Sequence, residues 1–245
     1  MKWHSREIIR KFSIYLFLII ITIMIIFPLL VIASSSFKDE VEIFAFPMTI
    51  IPENPILLNF ERLMENFPLY IFNSFKVTII IVLVQLVTAT TGGYAFSKLK
   101  WKLRDILFLT YVASIMIPIQ AIIVSQFTVV RNLGLYDSHL ALVLVSAFTA
   151  FGTFLVKQFF MTIPDSLLES ARMDGANEYQ IFASLMLPLS KPVLATLVIF
   201  SFRWFWNDFF TPLIYLTSEH LKTLPLGMAD FVTQYFTYYG PQMAA

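Results

Sequence analysis

Five apolar runs, at residues 12–34, 76–97, 104–126, 139–160 and 191–216, constrain this chain more than any other feature. A hydrocarbon layer about 30 Å thick takes about 20 apolar residues of helix to cross, and each run reaches that length. Backbone groups in lipid have no water to bond, so each run must satisfy its own N–H and C=O groups as a helix. The composition agrees: 58% of the 245 residues are hydrophobic and 13% are charged, with a mean hydropathy of +0.76, far from a soluble domain. The expected fold is therefore all-α, a polytopic transmembrane helix bundle with five spans. The first run is longer than the apolar region of a signal peptide, contains Pro28 and lacks a small-x-small cleavage site ahead of a soluble domain. It reads as a retained span.

Lys and Arg near span ends stay on the cytoplasmic side. Lys2, Arg6, Arg10 and Lys11 precede the first run, and Lys98, Lys100, Lys102 and Arg104 lie between the second and third. Lys157 and Lys191 flank the segment between the fourth and fifth, which contains Arg172. The N-terminus and both of these loops are thus expected inside. The segment between the first two runs has Asp39, Glu40, Glu42, Glu53, Glu61 and Glu65 against Lys38 and Arg62, which suits the outer face. A net charge of +1 leaves no electrostatic footprint for nucleic acid. Without cysteine there is neither a disulfide framework nor a thiolate metal site. His4, His139 and His220 have no acidic or histidine partner at ligand spacing, and no nucleophile-and-base constellation emerges, so no metal site and no catalytic residue is expected. A Gly-x-x-x-x-Gly-Lys-Ser/Thr phosphate loop is also missing, so energy from ATP would have to arrive through a partner.

Between the fourth and fifth runs stands a polar, turn-containing segment, Glu169-Ser170-Ala171-Arg172-Met173-Asp174-Gly175-Ala176. Pro164 and a Ser166-x-x-Glu169 capping box predict a helix starting near Ser166. Asp174-Gly175 predicts its end, and Asn177 predicts the cap of a second helix running to Pro188. Leu167, Leu168 and Ala171 fall on one arc of the first helix, with Ser170 and Ala171 small enough for close approach, which makes the segment a docking knob for another protein.

Inside the runs, Pro28 and Pro118 can kink their helices and Gly92-Gly93 permit close helix packing, although membrane helices also tolerate such residues without special purpose. Counted from Pro192 along an uninterrupted helix, Arg203 lies about 17 Å and Asp208 about 24 Å into the membrane, with Asn207 between them. Two readings fit. Arg203 pairs with a carboxylate of a neighbouring helix while Asp208 caps the outer end, or the three polar residues line a solute path.

The run Ile163-Pro164, Glu169-x-Ala171-x-x-Asp174-Gly175-Ala176, Phe182, Leu187-Pro188-Leu189-x-x-Pro192, Trp206-Asn207-Asp208-Phe209 and Pro212-Leu213 resembles the inner-membrane permease subunits of carbohydrate ABC importers, on the maltose-type second-permease side. Asn73-Ser74, Tyr94-Ala95-Phe96, Ile117-Pro118 and Leu133-Gly134-Leu135 fit the same pattern, so the likeness spans nearly the whole chain. The resemblance implies one permease domain over residues 1–245 with a cytoplasmic coupling loop, of the EAA type, at 162–189. Glu169, Ala171, Asp174, Gly175 and Ala176 would then be positions that couple to an ATPase, and Leu167 and Leu168 of the apolar arc join them as docking residues. It further implies a multi-pass protein of a prokaryotic inner membrane, surrounded by lipid, that moves a sugar or oligosaccharide by alternating access. The partners would be a second permease in a heterodimer, an ABC ATPase dimer and an extracytoplasmic sugar-binding protein. This chain would hold no cofactor of its own, the ATP being used by the partner ATPase.

Two departures stand out. Ser170 replaces an alanine usual in the family and keeps the side chain short. Family members have a sixth span, whereas this chain stops at Tyr239-Gly240-Pro241-Gln242-Met243-Ala244-Ala245, so a trimmed chain with its C-terminus outside is expected. The competing class is a secondary transporter or channel in which Arg203 and Asp208 form an ion or proton relay. It leaves the hairpin between the fourth and fifth runs unexplained.

Overall fold

The computed structural model describes residues 2–232 and 237–245, without the side chains of residues 2–6, 8 and 9. Lys2, His4 and Arg6 therefore have side chains outside the described set. The helices in chain order are α1 (Lys2–Ser35), α2 (Glu40–Ile43), α3 (Leu58–Met64), α4 (Phe67–Ser97), α5 (Arg104–Ala113), α6 (Ile119–Asn132) and α7 (His139–Val145). They continue with α8 (Ala150–Thr162), α9 (Asp165–Met173), α10 (Glu178–Leu189), α11 (Lys191–Trp206), α12 (Phe210–Tyr215), α13 (Leu224–Met228) and α14 (Tyr239–Ala244). Among the described residues there is no strand, only an isolated bridge between Val232 and Thr237. The expectation of an all-α fold holds.

Two helices are each long and apolar enough to cross a membrane, α1 from Arg10 to Ser35 and α4. Three further crossings are possible if the bent pairs α5/α6, α7/α8 and α10/α11, with bends of 103°, 47° and 75°, each count as one. Pro28 sits inside an unbroken α1, so only the second of the two prolines singled out coincides with a break. At Pro118 the chain tightens into a 3₁₀ turn over Ser114–Met116 before α6 begins, because proline supplies no N–H to the preceding turn. The run at 139–160 breaks after Ser146, and the carbonyls freed there are met from α4: the Gln85 amide donates to Ser146 O at 2.8 Å and the Thr88 hydroxyl to Ala147 O at 2.9 Å. Non-helical backbone at membrane depth needs such partners.

The run at 191–216 is also not one helix. It stops at Trp206, Asn207 is its cap, and α12 starts at Phe210. Asn207 donates its side-chain amide to Arg203 O at 2.7 Å, and Asp208 Oδ1 accepts from Thr211 N–H at 3.1 Å. Short polar side chains that bond nearby backbone offer it an alternative to the helix. The depth of about 24 Å counted for Asp208 along a straight helix is therefore superseded.

The chain divides into two compact units, residues 1–68 with 227–245, and residues 69–226. In the first, the Asn59 amide donates to Ser36 O at 3.0 Å and Lys38 O at 2.8 Å. Lys38 is buried, its ammonium bonded to the Thr49 carbonyl and hydroxyl. Gly240 N–H donates to Glu40 at 3.1 Å, tying α14 into the same unit. Before Ser35 none of the described side chains of α1 is buried, as suits a surface made for lipid or a partner helix.

The second unit has two apolar cores. One gathers Val77, Ile81, Val130, Ala141, Leu142, Tyr215, Leu216 and Leu226. The other gathers Ala89, Tyr94, Val156, Phe160, Ile163, Leu168, Ile181, Met186 and Leu197. In the second core α4 and α8 touch closely, since a Cβ on Gly93 would stand 2.7 Å from Val156 Cγ1 and 3.1 Å from the Lys157 nitrogen.

Candidate functional site

Residues 162–189 hold two helices, α9 and α10, joined by a turn at Gly175, and the first of them starts differently from the expectation. Pro164, in extended geometry, is the cap of α9, which begins at Asp165 and makes no side-chain cap bond. Ser166 is already inside the helix and its carbonyl accepts from Ser170 Oγ at 2.9 Å, so the Ser166/Glu169 capping box does not form. Asp165 is instead held by Lys98, the residue after α4, at 2.5 Å, and the same ammonium donates to Ile163 O at 2.6 Å. The Lys98 hydrogen bond lowers the Asp165 carboxyl below its usual range. Because that pKa is depressed, the latch is complete above the ordinary carboxylate range and opens only as pH falls through the lowered value.

α9 ends as expected at Asp174, with Gly175 at φ +87°. Ala176 N–H returns to Ala171 O and Gly175 N–H to Arg172 O, each at 3.0 Å, the paired bonds of a Schellman cap. Asn177 caps α10 in a capping box with Gln180, at 2.9 and 2.8 Å. From Ile181 to Met186 the helix widens to a π-helix before Pro188. Arg172 Nε donates to Glu178 Oε1 at 2.8 Å across the turn, which raises the guanidinium pKa further, and Glu178 Oε2 accepts from Tyr94 of α4 at 2.6 Å.

The arc of three apolar residues splits. Leu168 is 1% exposed in the core with Phe160 and Ile181, and Ala171 packs against that core. Both face the chain's own interior because α4, α8 and α10 close over that side of α9, so Leu168 is not available to a partner. The outward apolar residues are Leu167 (45% exposed), Met173 (82%) and Tyr179 (77%). Glu169, Asp174 and Gly175 are exposed and Ala176 is half-buried.

Arg203 and Asp208 are brought into different surroundings. Arg203 is exposed, and no ion pair to it occurs among the described residues, so the expected carboxylate partner on a neighbouring helix is not found. Asp208 lines a cavity of about 10 Å³, room for one water molecule, together with Ser74, Thr78, Thr211 and Thr223. Thr223 Oγ1 is buried there with no hydrogen-bond partner among the described residues. Nearby, Asn73 donates to His220 O and Lys222 O at 2.9 and 3.0 Å, and Ser74 Oγ accepts from Leu224 N–H at 2.7 Å. The Asn73-Ser74 pair thus anchors residues 220–224 at the start of α13.

An Asp208→Asn variant keeps the acceptor for Thr211 N–H and is expected to leave membrane abundance close to that of the unaltered chain. Asp208→Leu removes the acceptor for Thr211 N–H in the first turn of α12, a loss of about 1 kcal/mol, and is expected to lower abundance in a quantitative immunoblot. A leucine variant as abundant as the asparagine one would count against a structural role for that bond.

The family model for the binding-protein-dependent transport system inner membrane component matches residues 87–234, which hold the hairpin and the Asn207–Asp208 break. The chain belongs to this family. The permease is 32% identical over 227 residues to the sn-glycerol-3-phosphate transport system permease protein UgpE of Yersinia enterocolitica, covering 89% of this chain and 81% of that one. It is 33% identical over 216 residues to UgpE of Escherichia coli O1:K1, covering 85% and 77%. Its fold matches a chain of a bacterial ABC transporter involved in the import of the acidic polysaccharide alginate, with a TM-score of 0.83 and 24% identity over 96% of this permease and 90% of that chain. Family membership does not favour the secondary transporter or channel reading of Arg203 and Asp208.

The contacts made by Tyr94, Lys98, Gln85 and Glu178 had no sequence signal of their own. Lys98 was legible only as a topological cation and Tyr94 only as part of a resemblance, because their partners lie 65 to 84 residues away.

Proposed function

We propose that this permease is one membrane subunit of an ATP-driven importer, with residues 1–245 acting as a transmembrane permease domain and residues 162–189 as its cytoplasmic coupling loop. Five spans with the N-terminus inside, and a sixth as in the family, put that loop on the ATPase side. A second permease forms a heterodimer with this one, a partner ATPase dimer consumes the ATP, and an extracytoplasmic binding protein delivers the solute. Glu169, Asp174, Gly175 and Ala176 shape the loop, while Leu167, Met173 and Tyr179 enter a cleft of the ATPase. Closure of the ATPase pair swings the loops together and reorients the spans between inward-open and outward-open states, a rigid-body alternation. The observation that carries the reading is the exposed apolar edge at the Gly175 turn, where Met173 (82%) and Tyr179 (77%) flank the glycine on a segment otherwise rich in charge. Large apolar side chains left exposed on either side of one turn are open to a partner.

The substrate class is carbohydrate or polyol phosphate, supported by the 32% identity to UgpE. Asn207 and Asp208, at the break between α11 and α12, are the polar candidates beside the solute path, and Arg203 remains available to the second permease.

The chain has no cysteine, so a single Met173→Cys is expected to form a nucleotide-sensitive cross-link to the ATPase in the assembled complex. Free labelling of that cysteine by a water-soluble thiol reagent in the complex would show that the edge is not docked. For the substrate, uptake of radiolabelled sn-glycerol 3-phosphate and of maltotriose by vesicles holding the whole transporter decides between the two chemistries.

A further inference from the structure

The C-terminal end of α4 and the residue that follows it grip both limbs of the hairpin. Lys98, the first residue after α4, still donates its N–H to Tyr94 O at 2.9 Å, so it continues the last turn and its side chain lies on the same side as that of Tyr94. The Lys98 side chain is 4% exposed and its ammonium holds Ile163 O and Asp165, at the base of the first limb. Tyr94 is 5% exposed and its hydroxyl holds Glu178, the first residue of the second limb. Arg172, in the last turn of the first limb, takes the other oxygen of that carboxylate. The tyrosine ring is itself fixed, edge-on to Phe160 at 6.3 Å and against Phe182 at 5.3 Å. Charge-assisted bonds between residues with locked rotamers transmit displacement well because they are directional and stiff.

We propose that Tyr94, Lys98, Glu178 and Arg172 are positioning residues that make the hairpin and α4 move as one body, so that a push on the exposed hairpin edge turns α4. This rests on the coupling-loop reading above. Without the clamp, what joins the limbs to α4 among the described residues is apolar packing, at Leu168, Ile181, Met186 and Phe182 among others, and non-directional contacts allow one helix to slide or roll on another. The clamp spans the Gly175 turn. It therefore also prevents the two limbs from pivoting separately when the tip is displaced.

The test uses the complete transporter in lipid, with ATP and vanadate as the only added probes. Spin labels are placed singly at Met173→Cys, on the hairpin edge, and at Thr91→Cys, an exposed residue of α4 one turn before Tyr94. In the otherwise unaltered chain both labels should change mobility when vanadate traps the nucleotide. In the Tyr94→Phe/Lys98→Met background, which loses the bonds to Glu178, Ile163 O and Asp165, the Met173 label should still respond, whereas the response at Thr91 should be largely lost. Tyr94→Phe alone, which keeps the ring and its packing, should give an intermediate loss, and Lys98→Arg should restore the response relative to Lys98→Met. A Thr91 response undiminished in the double variant overturns the proposal. So does a double variant with lower abundance but an unchanged ratio of the two responses, since that is the behaviour of residues that only stabilise. Should the double variant fail to assemble, the ratio in Tyr94→Phe decides in the same way. A Met173 label that ignores nucleotide in the unaltered chain removes the coupling-loop reading itself, and the clamp proposal falls with it, whereas a responsive Met173 beside an unchanged Thr91 ratio removes the clamp alone.

Discussion

Gly175→Val is expected to abolish coupled transport while the chain still inserts and assembles. Gly175 stands at φ +87° with nothing within 4 Å of the place a Cβ would take, so no neighbour has to move and the whole penalty lies in the backbone. An L-residue in the left-handed region costs about 1–2 kcal/mol, and a β-branched one suffers most because its second γ-atom crowds the following carbonyl. The chain escapes by rotating toward negative φ. That breaks the 3.0 Å bonds from Ala176 N–H to Ala171 O and from Gly175 N–H to Arg172 O, and with them the angle between the limbs. Asparagine tolerates the left-handed region, so Gly175→Asn should retain most transport. The spans are untouched in both variants. Solute uptake and ATP hydrolysis by purified transporter, at matched abundance, check the pair. Normal uptake by the valine variant would mean that the turn does not set the coupling geometry.

Gly93→Ala is expected to destabilise the permease much more than Gly92→Ala, although the two are adjacent and chemically identical. A Cβ at position 93 meets Val156 Cγ1 at 2.7 Å and the backbone nitrogen of Lys157 at 3.1 Å. The second contact is with main chain of α8, which can yield only if α4 and α8 separate. Overpacking of this kind typically costs about 1–3 kcal/mol. A Cβ at position 92 meets the Thr153 methyl at 3.2 Å, a side-chain group that has another rotamer. Thermal unfolding of the detergent-solubilised complex should show a clear drop in midpoint for position 93 and little change for position 92. Equal midpoints would imply that the α4–α8 contact is looser than the packing at Val156 indicates.

The helical class, the apolar stretches, the Gly175 stop and the Asn177 cap were all legible in the residues. Each is decided within a few positions, by the length of an apolar run, by the conformational freedom of glycine or by a side chain bonding the next turn. Tertiary structure decided what those local rules leave open. Ser166 could cap α9 on spacing alone, but Pro164 takes that place and Lys98 holds Asp165. Leu168 and Leu167 are both apolar and adjacent, yet only Leu168 is buried, because α4, α8 and α10 lie on that side. The run at 191–216 looks continuous in hydropathy. It breaks because Asn207 and Asp208 bond the backbone locally, at 2.7 and 3.1 Å. Likewise the break after Ser146 is supported by Gln85, which also accepts from Ser201 at 2.8 Å, from helices remote in sequence. Periodicity and capping report energies that a segment settles by itself, whereas burial, the breaks within apolar runs and the grip of α4 and Lys98 on the hairpin depend on partners that only the folded chain brings within bonding distance.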